Sequence, residues 1–289
     1  MSKTMDNTNV WFVTGASKGL GLSLVKQLLS QGYRVAATSR NADDLRQAIA
    51  ADSAQWLPLQ VDLKTESSVN EAVQAAVQHF GRIDVVVNNA GYGLAGSIEE
   101  LTDQEARANF DINVFGTLHV IRSVMPQLRS QQAGHIINIG SIAGFVGSFP
   151  GFGIYCATKF AVEGLSESLA AEVKPFGINV TVVEPGYFRT EFLTAGSLAV
   201  PANPIDAYET VRATQQAHQF DINGNQPGDP EKAVAALIQL ASEPNPPLHL
   251  LLGQDAYDLA YAKIKAMQDE LEAWKHVTVA TGFDSEVAA

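Results

Sequence analysis

The sequence predicts an α/β fold in a single domain: a parallel sheet doubly wound by helices on both faces, with a C-terminal helical extension. Three observations predict it. Short, continuously apolar runs alternate with helical patterns from the N-terminus to about residue 185. A glycine-rich turn follows the first run and opens the first helix. Of 289 residues, 46% are apolar and 17% charged, the balance of a globular chain with a sizeable core.

Val10–Val13, Arg34–Ala37, Leu57–Val61, Val85–Val87, Ile136–Ile139 and Val180–Val183 read as strands. Apolar runs without polar alternation suit strands covered on both faces. Between them, Val69, Ala72, Val73, Ala76, Val77 and Phe80 keep the spacing of one apolar helix face. Ser68 with Glu71, and Thr102 with Glu105, have the spacing of capping boxes at helix starts. Strand–helix alternation implies right-handed crossovers and hence parallel strands.

The pattern changes after Gly186. Residues 187–228 are rich in Pro, Asn, Gly and aromatics, with a weak helical pattern around Ala207–Phe220, and a connection of that length reads as a lid. Asp229-Pro230 starts a helix, and Leu248–Leu252 is a last buried strand. Gln254–Lys275 forms a C-terminal helix carrying Leu259, Ile264, Met267 and Leu271, and Thr278–Ala289 is expected to fray. Residues 8–253 make the domain, lid included, and 254–289 extend it.

A net charge of −12 argues against nucleic acid and against an anionic membrane surface. No apolar run reaches 18 residues, and Met1–Val10 lacks the core of a signal peptide. Cys156 is the only cysteine, which fits a cytoplasmic protein and a small buried residue. The six histidines, His79, His119 and His135 among them, show no metal-ligand spacing; they read as surface or core groups, and no metal site is predicted.

The chemistry starts from Tyr155-Cys-Ala-Thr-Lys159. A tyrosine and a lysine four apart share one helix face. A free phenol, with a pKa of about 10, is a poor proton donor near neutrality. An ammonium one turn away favours the phenolate and lowers that value, which makes the pair an acid–base couple for a carbonyl or an alcohol. A solvated surface pair has the same spacing. The glycine turn Thr14-Gly15-Ala16-Ser17-Lys18-Gly19-Leu20-Gly21 lets backbone N–H groups approach a pyrophosphate and aims a helix N-terminus at it. The second strand ends at Ser39 and Arg40, 18 and 19 residues beyond Gly21, where an acidic residue would select a free ribose hydroxyl. Arg40, with Lys18 in the turn, favours a 2′-phosphate and so NADP(H) over NAD(H); either cation alone is equally well a solvated surface group. Asp62, after the third strand, accepts from the adenine amino group or caps the next helix.

Together these residues resemble the short-chain dehydrogenase/reductase family, in its shorter branch, over roughly residues 10–190. The ordered set is the Thr14–Gly21 turn, Asp62, Asn88-Asn89-Ala90-Gly91, Asn113, Ser141, Tyr155 with Lys159, and Pro185-Gly186 followed by Thr190. The resemblance implies a Rossmann-type fold and a set of roles. Tyr155 is the general acid, Lys159 tunes it and holds the nicotinamide ribose, and Ser141 binds the carbonyl oxygen. Asn113 holds a water that links Lys159 to solvent. Gly15, Ser17, Lys18, Gly19, Leu20, Gly21, Ser39, Arg40, Asp62, Leu63, Asn89, Ala90, Gly91, Pro185, Gly186 and Thr190 complete the cofactor contacts.

The substrate side reads as apolar. Phe145, Phe149, Phe152, Tyr187, Phe188, Phe192 and Phe220 make the candidate walls aromatic, and no Lys or Arg lies between His135 and Tyr155. A hydrophobic ketone, aldehyde or secondary alcohol follows. The extension is expected to cover the pocket or to block a tetramer interface, leaving a homodimer. The expected activity is an NADPH-dependent carbonyl reductase. An NAD-dependent alcohol dehydrogenase and a non-catalytic NADP(H) sensor are the alternatives.

Overall fold

A computed structural model describes residues 8–50 and 53–283. The elements run β1 (Val10–Val13), α1 (Gly19–Ser30), β2 (Arg34–Ser39), α2 (Ala42–Ala48), β3 (Trp56–Gln60), α3 (Glu66–Phe80), β4 (Val85–Asn88) and β5 (Gly93–Leu94). Then follow α4 (Asp103–Phe110), α5 (Thr117–Gln131), β6 (Gly134–Ile139), α6 (Ile142–Phe145), α7 (Gly153–Val173) and β7 (Ile178–Pro185). The chain closes with β8 (Leu198–Ala199), α8 (Glu209–Gln216), α9 (Pro230–Ser242), β9 (His249–Leu252) and α10 (Gln254–Thr278).

Seven parallel strands form the main sheet in the order β3-β2-β1-β4-β6-β7-β9. Successive residues of β1 point to opposite faces, so Phe12 enters one core and Trp11 the other. Phe12, Val86 and Ile136 pack under α3, α5 and α7; Trp11, Val87 and Ile137 pack under α1 and α9. Continuous apolar runs are what two covered faces require. Strand order reverses between β1 and β4, and a crevice opens beyond the carboxyl ends of strands at such a point.

Capping follows one expected pattern and departs from another. Thr102 and Glu105 form the reciprocal box at α4, and Asp229 caps α9 with Pro230 in its first turn. Ser68 does not cap α3. The helix starts at Glu66 after Thr65, and the Ser68 hydroxyl, already inside the first turn, accepts from the Asp62 N–H at 3.1 Å. Asp62 itself accepts from the Lys64 N–H at 3.0 Å, so it shapes the preceding turn and does not cap the helix.

α10 departs further. Only Ala256 and Ala260 are buried, at its first turns, while Tyr257, Tyr261, Ile264, Met267, Leu271 and Trp274 are exposed. The helix leaves the body after Ala260 and lends no side chain to the crevice, so the expectation that it covers the pocket is not met. It stays helical to Thr278 and tightens over Val279–Thr281, so fraying does not begin at Thr278; residues 284–289 lie outside the described residues. Among the described residues, no helix is long and apolar enough to cross a membrane.

Candidate active site

The turn after β1 and the end of β4 form one unit. Gly15 has φ +65°, and a Cβ there would stand 2.7 Å from the Ala90 Cα; one on Gly21 would stand 2.5 Å from Asn89 Nδ2. The Thr14 hydroxyl accepts from the N–H groups of Asn89 and Ala90, each at 3.1 Å. In return the Asn89 amide donates to the carbonyls of Thr14 and Gly15, both at 3.0 Å. Asn89 therefore staples the turn with its side chain. Thr14, the first residue of the turn, organises it.

α1 opens at Gly19 with no side-chain cap from Lys18. Its first N–H donates instead to Glu191 Oε2 at 3.1 Å, and the Lys18 ammonium donates to the Gly196 carbonyl at 2.7 Å. Both partners come from the lid. The Ser39 hydroxyl accepts from the Asn41 N–H at 3.2 Å. Arg40 is exposed at the edge of the crevice and makes no ion pair among the described residues.

Tyr155 and Lys159 lie on the first turns of α7, 7% and 6% exposed. The Lys159 ammonium donates to the Ile139 carbonyl at 2.8 Å and stands 5.8 Å from the centre of the Tyr155 ring. Burial pushes the Tyr155 phenol far above its ordinary value, and a hydrogen bond with the Ser141 hydroxyl opposes the shift. Burial also brings Lys159 down to about 8. The lowering of Tyr155 expected from Lys159 is therefore not what acts here; desolvation dominates, and Ser141 provides the opposing influence. Ser141 Oγ accepts from the Ala143 N–H at 3.1 Å, capping α6, so the bond to Tyr155 uses its own hydrogen.

Asn113 sits in a wide π-helical turn, Asp111–Gly116, between α4 and α5. Its Oδ1 accepts from the Tyr92 N–H at 3.0 Å, and its Nδ2 donates to the Tyr92 carbonyl at 3.1 Å and to the Thr158 hydroxyl at 3.0 Å. The side chain is used up in tying Tyr92 to α7, and it is not part of the crevice wall.

The crevice is a cavity of about 860 Å³. Gly15, Ser17, Lys18, Gly19, Leu20, Ser39, Arg40, Asp62, Leu63, Asn89, Ala90, Gly91, Ser141, Tyr155, Lys159, Pro185, Gly186 and Thr190 all line it. Of the predicted site residues, Gly21 and Asn113 stand behind the wall. At the far end, Phe149, Phe152, Tyr187, Phe188 and Phe192 form an aromatic lining. Phe145 packs at the root of α10 instead, and Phe220 is exposed. The lid cations are engaged elsewhere. Arg212 pairs with buried Glu100 at 2.6 Å, and the Arg189 guanidinium donates to the Gln226 carbonyl at 3.1 Å.

His218 is a buried group with both ring nitrogens partnered, as expected of a core histidine, and it also lines the cavity, with Nε2 2.8 Å from the Tyr187 hydroxyl. Glu191, His218 and Gln226 carried no spacing signal and are found only through the fold. Outside the cavity, Glu163, Glu167 and His249 bring ligand atoms within 4.8 Å of one another despite the absence of any spacing motif. The buried Glu184 carboxyl beside Glu163 is raised to about 9 by desolvation and by that neighbour.

The crevice fits a dinucleotide. Close-approach glycines and the N-terminus of α1 suit a pyrophosphate, and the cavity continues from Arg40 to Tyr155. A buried phenol and ammonium and the half-buried Ser141 hydroxyl then meet at one end, where proton transfer to a carbonyl oxygen is the chemistry available.

Residues 9–198 match a family described as short chain dehydrogenase. Oxidoreductase BOA17 of Botryotinia fuckeliana is 34% identical, over 95% of this chain and 99% of its own. A 3-ketodihydrosphingosine reductase of Bacteroides thetaiotaomicron is 35% identical, over 88% of this chain and 91% of its own. The solved structure of a short-chain dehydrogenase from Streptomyces avermitilis superposes with a TM-score of 0.88 at 38% identity, over 95% of this chain and 99% of that one.

Proposed function

Since the chain belongs to the short-chain dehydrogenase family, and is thus an oxidoreductase of carbonyl and alcohol groups, we propose that it uses NADPH to reduce an apolar ketone or aldehyde. The single observation that carries this reading is the convergence of Ser141, Tyr155 and Lys159 at the aromatic end of one dinucleotide-sized cavity.

NADPH, when bound, supplies the hydride equivalent for the carbonyl carbon. The residues do the rest. Tyr155 holds a proton that its buried setting keeps on the phenol, and gives it to the substrate oxygen as negative charge grows there. The hydroxyl hydrogen of Ser141, turned towards Tyr155, is placed to take the same oxygen and stabilise its charge. Lys159, anchored on Ile139, holds its ammonium beside the phenol and takes the ribose hydroxyls. Asn113 acts from behind by fixing Tyr92 and Thr158. Gly15 and Ser17 to Leu20 would cradle the pyrophosphate with Gly21 behind them, Asp62 and Leu63 would flank the adenine, and Asn89 to Gly91 would lie along the ribose. Pro185, Gly186 and Thr190 would hold the carboxamide, while Ser39 and Arg40 would take the 2′-phosphate. The aromatic wall and the engaged lid cations favour a substrate without a carboxylate or phosphate. A cytoplasmic homodimer completes the proposal.

NAD(H) is the second reading. Lys18 is turned to the lid carbonyl of Gly196, which leaves Arg40 alone to select a 2′-phosphate. Two variants test the assignment. Tyr155→Phe lowers turnover by about 10²- to 10⁴-fold while dinucleotide binding, followed by nicotinamide fluorescence, persists. Turnover within a factor of two of wild type would refute the role of Tyr155. Arg40→Asp lowers kcat/KM with NADPH by about ten-fold or more and spares NADH, one charge-assisted contact being worth roughly 1.5–3 kcal/mol. An unchanged NADPH/NADH ratio favours the second reading.

A further inference from the structure

The substrate end of the cavity contains a polar pair that the proton-transfer chemistry does not use. His218 is 8% exposed, and its Nδ1 lies 2.7 Å from the Thr214 carbonyl oxygen. A carbonyl oxygen only accepts, so Nδ1 carries the hydrogen. In the neutral ring Nε2 is then a bare lone pair, and the Tyr187 hydroxyl, 2.8 Å away, donates to it. The phenolic hydrogen of Tyr187 is thereby committed to His218. What Tyr187 has left to offer a ligand is an acceptor oxygen.

That oxygen is held in place from several directions. The Tyr187 N–H donates to Asp255 Oδ2 at 2.7 Å, and its carbonyl accepts from the Gly228 N–H at 2.9 Å. The His218 ring packs on Phe152 with centroids 4.6 Å apart, and Phe152 in turn meets the Tyr155 ring at 6.4 Å. The acceptor therefore belongs to the same ring cluster as the reacting phenol. Phe149, Phe152, Phe188 and Phe192 line the same end of the cavity, and none of them hydrogen-bonds through its side chain. An acceptor desolvated against a purely apolar ligand would lose its partner in water and gain none.

We infer that Tyr187, oriented by His218, is a recognition subsite for a hydrogen-bond donor on the substrate, a hydroxyl or ammonium carried close to the reacting carbonyl. The preferred substrate class is then a hydroxyketone or aminoketone on an apolar chain. This rests on the carbonyl-reductase reading and narrows it.

The test uses three ketones of equal chain length: a plain methyl ketone, its 1-hydroxy derivative and its 1-amino derivative. Their kcat/KM values are compared in wild type, Tyr187→Phe and His218→Leu. Binding of the matching 1,2-diol and simple alcohol to wild type and Tyr187→Phe, with oxidised cofactor present, is measured by calorimetry. Wild type is expected to favour at least one donor-bearing ketone over the plain one by about ten-fold, the worth of one neutral hydrogen bond at an enclosed site. Tyr187→Phe brings that ratio close to one, and His218→Leu, which releases the phenolic hydrogen, lowers it part of the way. A wild-type ratio near one in both kinetics and binding overturns the inference, as does a ratio unmoved in Tyr187→Phe. If no ketone is reduced but the diol still binds better through Tyr187, the subsite stands and the carbonyl-reductase reading falls. Should Tyr187→Phe fail to fold, the wild-type ratio and His218→Leu decide.

Discussion

The nucleotide side of the crevice is shaped by backbone, and the substrate side by pairs of side chains. At the first, Gly15 and Gly21 leave no room for a Cβ, and the Asn89 amide answers main-chain carbonyls. At the second, Tyr187 meets His218 and Glu191 reaches across to the opening of α1, while just outside the cavity Arg212 meets Glu100. A backbone shape that only glycine can adopt leaves a mark on the sequence. A pairing between two side chains 31 or 112 positions apart leaves none, because many other residue pairs would close the same gap. The two sides should also respond differently to change: the first by losing the fold of the turn, the second by altering choice and affinity.

Lys159, where the two sides meet, should give the largest effect on stability. Burial lowers its ammonium from 10.5 to about 8. Between those values the unfolded chain holds a proton that the folded protein has released, so wild-type stability rises with pH across that window. Below pH 8 the cost of burying the charge is complete, about 3 kcal/mol for a fall from 10.5 to about 8. Lys159→Met should abolish turnover yet raise Tm at pH 7, less about 1 kcal/mol for the lost bond to Ile139. The gain should shrink from pH 8 upward. Melting curves of the two proteins that stay parallel from pH 6.5 to 9.5 would contradict this account of the site.

Gly21→Ala sharpens the contrast from the backbone side. Its Cβ would stand 2.5 Å from Asn89 Nδ2, a side-chain end pinned by two hydrogen bonds, and 2.7 Å from the Gly15 carbonyl oxygen, which is backbone. A loss of about 1–3 kcal/mol in urea unfolding is expected, with weaker dinucleotide binding. Wild-type stability in this variant would mean that the turn tolerates a side chain after all.

The smallest effect belongs to Glu191→Gln. In the structure the Glu191 carboxylate takes the Gly19 N–H, the donor that a pyrophosphate oxygen would claim. Neutralising it removes a competing negative charge from the phosphate turn, and dinucleotide Kd should fall by a few-fold, most clearly at low salt. A Kd that rises instead would mark Glu191 as a support of the bound state.

How far the sequence could be read follows the same division. The seven sheet strands were legible: burial on both faces demands unbroken apolar runs in the inner strands, such as Val10–Val13 and Val85–Val87, and the less buried edge strands β3 and β9 keep short apolar runs of their own. Tyr155, Lys159 and Ser141 were legible through spacing and resemblance, and the structure brings them to one cavity wall. The start of α3 was not, because Thr65 and Ser68 are both competent caps and only the fold assigns Ser68 to Asp62. The π-helical turn that aims Asn113 was invisible, since one extra residue in a helical turn leaves the apolar spacing nearly intact. His218 escaped notice because a lone histidine in a lid has no period to betray it.

α10 has a spectroscopic consequence. Trp11 and Trp56 are 0% and 7% exposed in the body, whereas Trp274, near the end of the projecting helix, is 64% exposed. Aqueous iodide should therefore quench one emitter of the three, the red-shifted one. Intrinsic fluorescence thus separates into a signal from the rod and a signal from the core, and anything that settles on the rod, a second molecule included, would announce itself as a blue shift and lost quenching without any added dye.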